Sequence, residues 1–162
     1  MKKSFKFLAV AAVALVSMNA SALEPQWSKG TMIGNAQIGL EPFGAAVSLD
    51  YVLVDEWWQG HFTVGGEINV SNYADHYNAI GVTPRCTYGL NITNEFEVHA
   101  VAEFGVSNYN YKYAEKRKHE LRGLHSEMVG CRYFFGDGIA VNAEVGYSNY
   151  SPELRAGISY RF

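Results

Sequence analysis

Alternation of apolar and polar residues is the feature that most limits how this chain can fold. In the final segment, one face carries Leu154, Ala156, Ile158, Tyr160 and Phe162. The positions between them are polar or small, namely Arg155, Gly157, Ser159 and Arg161. Successive side chains of a β-strand point to opposite faces, so a period of two indicates a strand with two different faces. Because chain ends are usually poorly ordered, an aromatic last residue within the pattern predicts an end that is tied into the fold.

Eight segments carry this pattern, and no helical pattern appears between residues 23 and 162. The segments cover approximately residues 30–40, 45–54, 61–70, 77–90, 95–106, 123–135, 138–147 and 152–162. Tight turns at 55–60, 91–94 and 136–138 alternate with connections at 41–44, 71–76, 107–122 and 148–151. An even strand number with short turns at one rim and longer loops at the other is the plan of an outer-membrane barrel. We predict an all-β fold, a closed eight-stranded antiparallel transmembrane β-barrel with up-and-down meander topology and both termini in the periplasm.

The first 22 residues have the layout of a cleaved secretory signal peptide. A basic start at Lys2 and Lys3 is followed by a short apolar run at 7–16 and by the small triplet Ala20-Ser21-Ala22. We therefore expect residues 1–22 to be removed and residues 23–162 to form one barrel domain. Removal takes away three lysines and no acid, which moves the formal charge from −3 to −6. An acidic chain without a basic face excludes a nucleic-acid binder.

The polar face has the composition of a closed interior rather than of a solvated surface. The predicted strands contain no lysine, although solvated sheets use lysine freely. Buried charges must be paired, and the guanidinium group pairs well with carboxylates. We predict an ion-pair network in the lumen formed by Asp50, Glu67, Arg85, Glu97, Glu103, Arg132, Glu144, Arg155 and Arg161.

Aromatic residues gather near both ends of the predicted strands, as the two interfacial girdles of a membrane barrel require. Near the short-turn rim lie Trp57, Trp58, Tyr88, Tyr133, Phe135, Tyr160 and Phe162. Toward the longer loops lie Tyr73, Tyr77, Tyr109, Tyr111, Tyr113, Tyr147 and Tyr150. A water-soluble barrel with a core of these aromatic residues is the alternative.

The carboxyl-terminal segment resembles the signal by which the barrel-assembly machinery recognises outer-membrane proteins. Its fixed positions are occupied by Arg155, Gly157, Tyr160 and Phe162. With the segment Gly130-Cys131-Arg132-Tyr133-Phe134-Phe135, it makes residues 23–162 similar to the small eight-stranded outer-membrane barrels of the OmpX and opacity-protein group. The resemblance implies fold and a Gram-negative outer-membrane location. Its members include adhesins, resistance factors and proteins of unknown role, so it leaves the function open.

The strand number argues against a wide pore. Eight strands enclose a lumen that side chains fill, whereas porins use about 16 to 18 strands. A lipid-modifying enzyme, such as a lipid A deacylase, is suggested by His125-Ser126-Glu127. Adjacent strand residues point to opposite faces, so His125 and Ser126 cannot form a dyad, and Glu127 occupies the place of the serine in the deacylase pattern. We predict a non-enzymatic protein without cofactor or metal site, and a narrow pore stays an alternative.

The connection between the fifth and sixth strands carries a basic, tyrosine-rich cluster. Its members are Tyr109, Tyr111, Lys112, Tyr113, Lys116, Arg117, Lys118 and Arg122. Clustered cations recognise phosphate, and tyrosine and arginine favour protein interfaces. The expected partners are lipopolysaccharide or a host or envelope protein, while a merely solvated loop is the alternative. We expect a monomeric structural or surface-interaction protein that works through its loops.

The two cysteines are predicted to be free thiols that face outward. Cys86 and Cys131 fall on the fourth and sixth strands, separated by a whole strand. Next-but-one strands lie about 10 Å apart, beyond the Cα separation of about 7 Å that a disulfide allows.

Overall fold

The computed structural model describes residues 27–40, 42–58, 60–73, 77–113, 116–136 and 138–162, without the side chains of 111–113 and 116–118. The predicted signal peptide, residues 1–22, lies outside this part of the chain. Eight antiparallel strands follow one another in chain order and close on themselves. They are β1 Met32–Leu40, β2 Phe43–Trp57, β3 Gly60–Tyr73, β4 Tyr77–Asn91, β5 Phe96–Tyr113, β6 Lys116–Phe135, β7 Ile139–Ser148 and β8 Leu154–Arg161. The predicted fold is confirmed.

The chain end closes the barrel. β1 pairs with β8 from the Ile33–Arg161 pair to the Gly39–Arg155 pair. Beyond this ladder, Phe162 and Met32 exchange backbone hydrogen bonds of 3.0 and 3.1 Å. The terminal residue is therefore part of the seam and not a free tail.

Outside the end of β2 and the hairpin extension of β5 and β6, burial alternates along the described strands with the polar side inward. Along β2, for example, Ser48 and Asp50 are buried whereas Val47, Leu49 and Tyr51 are exposed. The exposed face is thus apolar and the enclosed face polar, the inverse of a soluble protein. The alternative of a water-soluble barrel with an apolar core is therefore wrong. Within the described residues, no helix is long and apolar enough to span a membrane.

The strands extend further than the apolar pattern predicts, above all on either side of residues 114–115. The segment 107–122, expected as a loop, instead continues β5 and β6 as a two-stranded hairpin. The pattern fails there because both faces of this hairpin are polar, so no apolar period marks it as a strand. At the opposite rim, β2 runs to Trp57 through two register shifts, and Trp58 takes a φ of 50° in the turn.

Two rims follow from this topology. The turn rim comprises Trp27, Phe162 and the strand ends at Trp57 and Gly60, at Asn91 and Phe96, and at Phe135 and Ile139. The hairpin rim comprises the strand ends at Leu40 and Phe43, at Tyr73 and Tyr77, and at Ser148 and Leu154, together with the extension of β5 and β6.

Both cysteines are free and lie on the outward face of their strands. Cys86 pairs in register with Ala102 of β5, and Cys131 pairs with Val98 of β5 from the other side. We expect a lipid-soluble maleimide to label both thiols of the protein in vesicles, and a membrane-impermeant maleimide to label neither. Labelling of both thiols by the impermeant reagent would contradict the lipid-facing orientation of β4 and β6.

Candidate functional site

The centre of the lumen is organised around one guanidinium group. Arg85 on β4 is fully buried and contacts four carboxylates from four other strands. The partners are Asp50 at 3.2 Å, Glu67 at 3.0 Å, Glu103 at 3.0 Å and Glu144 at 2.6 Å. Because β2, β3, β5 and β7 each supply one partner, this single side chain ties the barrel wall together across its interior.

A second arginine shares two of these acids. Arg155 on β8 lies 2.6 Å from Glu67 and 3.2 Å from Glu103. Its guanidinium also donates to the Ser126 hydroxyl at 3.4 Å and to the Pro152 carbonyl at 3.2 Å. The two carboxylates thus bridge Arg85 and Arg155, which makes the network continuous from β2 to β8.

Closer to the turn rim, the network continues through Glu97. Its carboxylate accepts hydrogen bonds from Arg132 at 2.7 Å and from the indole N–H of Trp27 at 2.7 Å. His99 lies 3.1 Å from Glu97 and 3.2 Å from Glu144, so it connects this group to the Arg85 centre. Arg132 also donates to the Ser159 hydroxyl at 3.1 Å.

Eight of the nine predicted network residues meet in these contacts, and the ninth, Arg161, lies on the turn-rim side of them. The guanidinium carbon of Arg161 lies 5.5 Å from the ring centroids of both Trp27 and Phe134. Arg161 therefore lies over aromatic rings on the turn-rim side of the network.

An apolar floor closes the turn rim, and the alternating pattern of the sequence does not predict it. Trp27 lies ahead of β1 with no exposed surface and packs 5.2 Å from the rings of both His61 and Phe134. It belongs to a buried cluster with Ile33, Val52, Phe134 and Ala140. The only signal in the sequence was a tryptophan shortly after the predicted cleavage point.

Tyrosines gather at the hairpin rim, but they do not form the lipid-facing girdle that the sequence predicts. Tyr73, Tyr77 and Tyr109 occupy lumen-facing positions of β3, β4 and β5 and pack on one another at 5.4 to 6.5 Å. Tyr150 lies 5.4 Å from Tyr109. Tyr147 does lie on the outward face. Tyr73, Tyr77 and Tyr109 continue the inward register beyond the charged layers, and Tyr150 packs on them from the connection after β7, so the four rings cover the mouth of the lumen.

Only part of the predicted basic cluster lies within the described side chains. Arg122 sits over the Tyr109 ring at 5.2 Å and donates to the Tyr150 hydroxyl at 3.0 Å. It also pairs with Glu120 at 2.7 Å, and this hydrogen bond raises the pKa of Arg122 above its usual value. The other cluster side chains, Tyr111, Lys112, Tyr113, Lys116, Arg117 and Lys118, lie outside the described part.

The hairpin leaves one edge of β6 without a strand partner among the described residues. β6 pairs with β5 from Lys116 to Tyr133, but its pairing with β7 begins only at Ser126 and Ser148. Next to this point, toward the hairpin, the Asn149 side chain accepts a hydrogen bond from the His125 N–H at 3.0 Å and donates one to the Gly123 carbonyl at 2.9 Å. Since backbone directions alternate along a strand, the N–H and C=O of Leu121 and His119 point to this same edge.

His125, Ser126 and Glu127 are not assembled into a catalytic site. Ser126 is fully buried in the lumen beside Arg155, whereas His125 and Glu127 point outward. A nucleophile must lie within hydrogen-bond reach of its base, and the barrel wall separates these two groups. Within the described residues, no group of three or more His, Cys, Asp or Glu side chains is placed to hold a metal ion.

The residues of the predicted assembly signal have distinct structural positions. Arg155 is buried in the lumen network, and a Cβ at Gly157 would collide with the carbonyl of Ala36 on β1. Tyr160 and Phe162 are exposed on the outward face and pack edge to face at 5.2 Å.

A separate contact at the turn rim joins Lys29 to β2. The backbone N–H of Lys29 donates to Asp55 and lowers the pKa of that carboxyl.

Among solved structures, the chain is similar to small membrane barrels. The N-terminal β-barrel domain of Pseudomonas aeruginosa OprF matches at 14% identity and a TM-score of 0.59, over 82% of this chain and 96% of that one. Neisserial surface protein A matches at 11% identity and a TM-score of 0.53, over 82% and 94%. A de novo designed transmembrane β-barrel matches at 15% identity and a TM-score of 0.54, over 84% and 98%.

No protein-family profile and no curated protein sequence matches the chain. At these identities, the structural likeness concerns the fold. The chain thus has the fold of the small eight-stranded outer-membrane β-barrels, the fold that its resemblance to the OmpX and opacity-protein group implies.

Proposed function

We propose that this protein is a monomeric surface-interaction protein of a Gram-negative outer membrane, and that it binds an extended segment of a partner protein along the free edge of β6. The observation that carries the proposal is the length of the β5–β6 hairpin. β5 has 18 residues and β6 has 20, whereas a crossing strand needs about 9–11. The surplus extends beyond the membrane on the hairpin rim, which faces outward from the cell.

The lumen supports an interaction role rather than transport. Arg85, Arg132 and Arg155 with their carboxylates fill its centre, the Trp27 cluster fills one end and the tyrosines cover the other. An eight-stranded barrel is just wide enough to be filled in this way. The protein therefore acts through its outer surface, and no catalytic residue is proposed.

The free edge of β6 suits one recognition mode. Unpaired backbone groups at a sheet edge accept an extended peptide by strand addition, in which main-chain hydrogen bonds provide affinity. In sequence, the edge segment carries Lys116, Arg117, Lys118 and Arg122 against the single acid Glu120. The partner segment is therefore acidic, because like charges across a strand pair are unfavourable.

Export and assembly follow from the two ends of the chain. Residues 1–22 direct secretion and are removed, and the barrel-assembly machinery reads Arg155, Gly157, Tyr160 and Phe162. Both ends of the mature chain then lie in the periplasm.

The test uses proline at the edge. Leu121 directs its N–H to the free edge, and proline removes that donor while an edge strand tolerates the ring. We expect Leu121→Pro to weaken binding of an alternating Thr-Glu peptide by about tenfold or more, since one lost hydrogen bond costs about 0.5–1.5 kcal/mol and the ring adds a clash. Binding is measured by fluorescence anisotropy with the purified barrel in detergent.

Two controls separate strand addition from other contacts. Leu121→Ala removes a side chain that is 71% exposed but keeps the N–H, and should bind as the wild type does. An alternating Thr-Lys peptide should not bind, and salt should weaken the acidic peptide. Equal binding of both peptides, or undiminished binding by Leu121→Pro, would contradict the proposal.

A further inference from the structure

Two polar side chains interrupt the apolar outward face. Apart from Asn72 and Asn78, each next to the hairpin-rim end of its strand, the outward positions of the described strands between the two rims are apolar, aromatic or small except at His125 and Glu127 on β6. Within the described residues, no hydrogen bond or ion pair engages the Glu127 carboxylate, which is exposed. An ionisable group on a membrane-spanning segment is a functional-site candidate, because placing it in hydrocarbon is costly.

The position of the pair is at an interface rather than at the barrel waist. Glu127 pairs in register with Tyr147, the penultimate residue of β7. The His125 ring lies 5.5 Å from the Tyr147 ring, tilted by 44°. Above His125, a Cβ on Gly123 would meet no atom within 4 Å. Glu127, His125 and Tyr147 are therefore neighbours on the outward face where β7 ends, with open space over Gly123, at the level where the cost of an outward charge falls.

The chemistry of these three side chains matches a phosphorylated lipid headgroup that carries a divalent cation. A carboxylate beside a phosphate is repelled unless a cation lies between them, and magnesium commonly joins one or two carboxylates to phosphate oxygens. An imidazole N–H and a phenol O–H donate hydrogen bonds to phosphate oxygens.

We propose that Glu127, His125 and Tyr147 form a headgroup clamp that holds a lipid phosphate through a shared divalent cation. Glu127 binds the cation, while His125 and Tyr147 donate to the phosphate. The clamp rests on the outer-membrane placement under Proposed function but not on the edge of β6. It anchors the foot of the hairpin to the leaflet through which the hairpin passes.

To test the clamp, residues 23–162 are refolded into phosphatidylcholine vesicles with or without lipid A. Each kind of vesicle is measured in magnesium chloride and in EDTA. The midpoint of thermal unfolding is read from heat-modifiable gel migration. We expect magnesium to raise the wild-type midpoint in the lipid A vesicles only, because the phosphate of phosphatidylcholine is already balanced by its own choline cation whereas the phosphates of lipid A have no such cation. Glu127→Gln should lose this shift, and His125→Ala should lose part of it. Magnesium with inorganic phosphate in vesicles without lipid A should produce no shift.

A matched control removes a carboxylate elsewhere. Glu56→Gln changes an exposed acid at the turn rim, and it should keep the full magnesium shift. An equal shift in wild type and Glu127→Gln would overturn the clamp alone. Failure of the wild type to insert into either kind of vesicle would overturn the membrane placement and the clamp together.

Discussion

Replacing Arg85 with methionine should lower the free energy of unfolding by about 3–5 kcal/mol, the usual result of removing one partner from a buried ion-pair group. Methionine approximates the length of the side chain but leaves Asp50, Glu103 and Glu144 without their shortest contacts to a cation. These carboxylates are buried, so water cannot replace the guanidinium without opening the lumen.

Urea unfolding of the barrel in lipid vesicles, followed by tryptophan fluorescence, measures this loss. Adding Glu144→Gln to Arg85→Met should recover part of it, because the double variant removes the carboxylate closest to Arg85. Arg122→Met, at the exposed hairpin rim, should change stability little. A loss in Arg85→Met no larger than that in Arg122→Met would mean that the network contributes nothing to stability.

The fold and the orientation of the faces could be predicted from the sequence for a simple reason. A strand period of two divides the residues of each segment into two sets, one for each face. Only one of these sets contains both carboxylates and arginines, and neither contains lysine. The position of Glu97 or Arg132 on the inner face follows from this parity alone. The chain end was predictable for the same reason, since Phe162 continues the outward set.

The partners of each charge were not predictable, because they depend on the diameter and stagger of the closed barrel. Arg85 and Glu144 lie 59 positions apart on strands that are not neighbours, and they meet only across the lumen. The alternation of apolar and polar residues also does not predict strands in the polar hairpin. Tyr109 and Arg122 lie on the inward set of their strands, yet the sequence predicts a loop there because no apolar face marks the hairpin.

The burial of Trp27 could not be predicted, because the residue lies before the first strand, where no periodicity applies.

The environment of Trp27 predicts the second large loss of stability. We expect Trp27→Ala to lower the free energy of unfolding by about 3–5 kcal/mol, the range for truncating a buried aromatic side chain. The indole ring joins His61 of β3 to Phe134 of β6, so its loss empties the floor of the barrel rather than one wall.

Two further variants separate the ring from its N–H group. Trp27→Phe keeps most ring contacts but removes the donor to Glu97, and a hydrogen bond to a charged group contributes about 1.5–3 kcal/mol. Trp58→Ala removes a tryptophan that is 86% exposed in the turn of the same rim and should have little effect. Urea unfolding under the same conditions as for Arg85 compares all three. If Trp27→Ala and Trp58→Ala unfold alike, the segment before β1 is not part of the folded barrel. If instead Trp27→Phe falls between the wild type and Trp27→Ala, the floor depends both on packing and on the bond that joins it to the charged lumen.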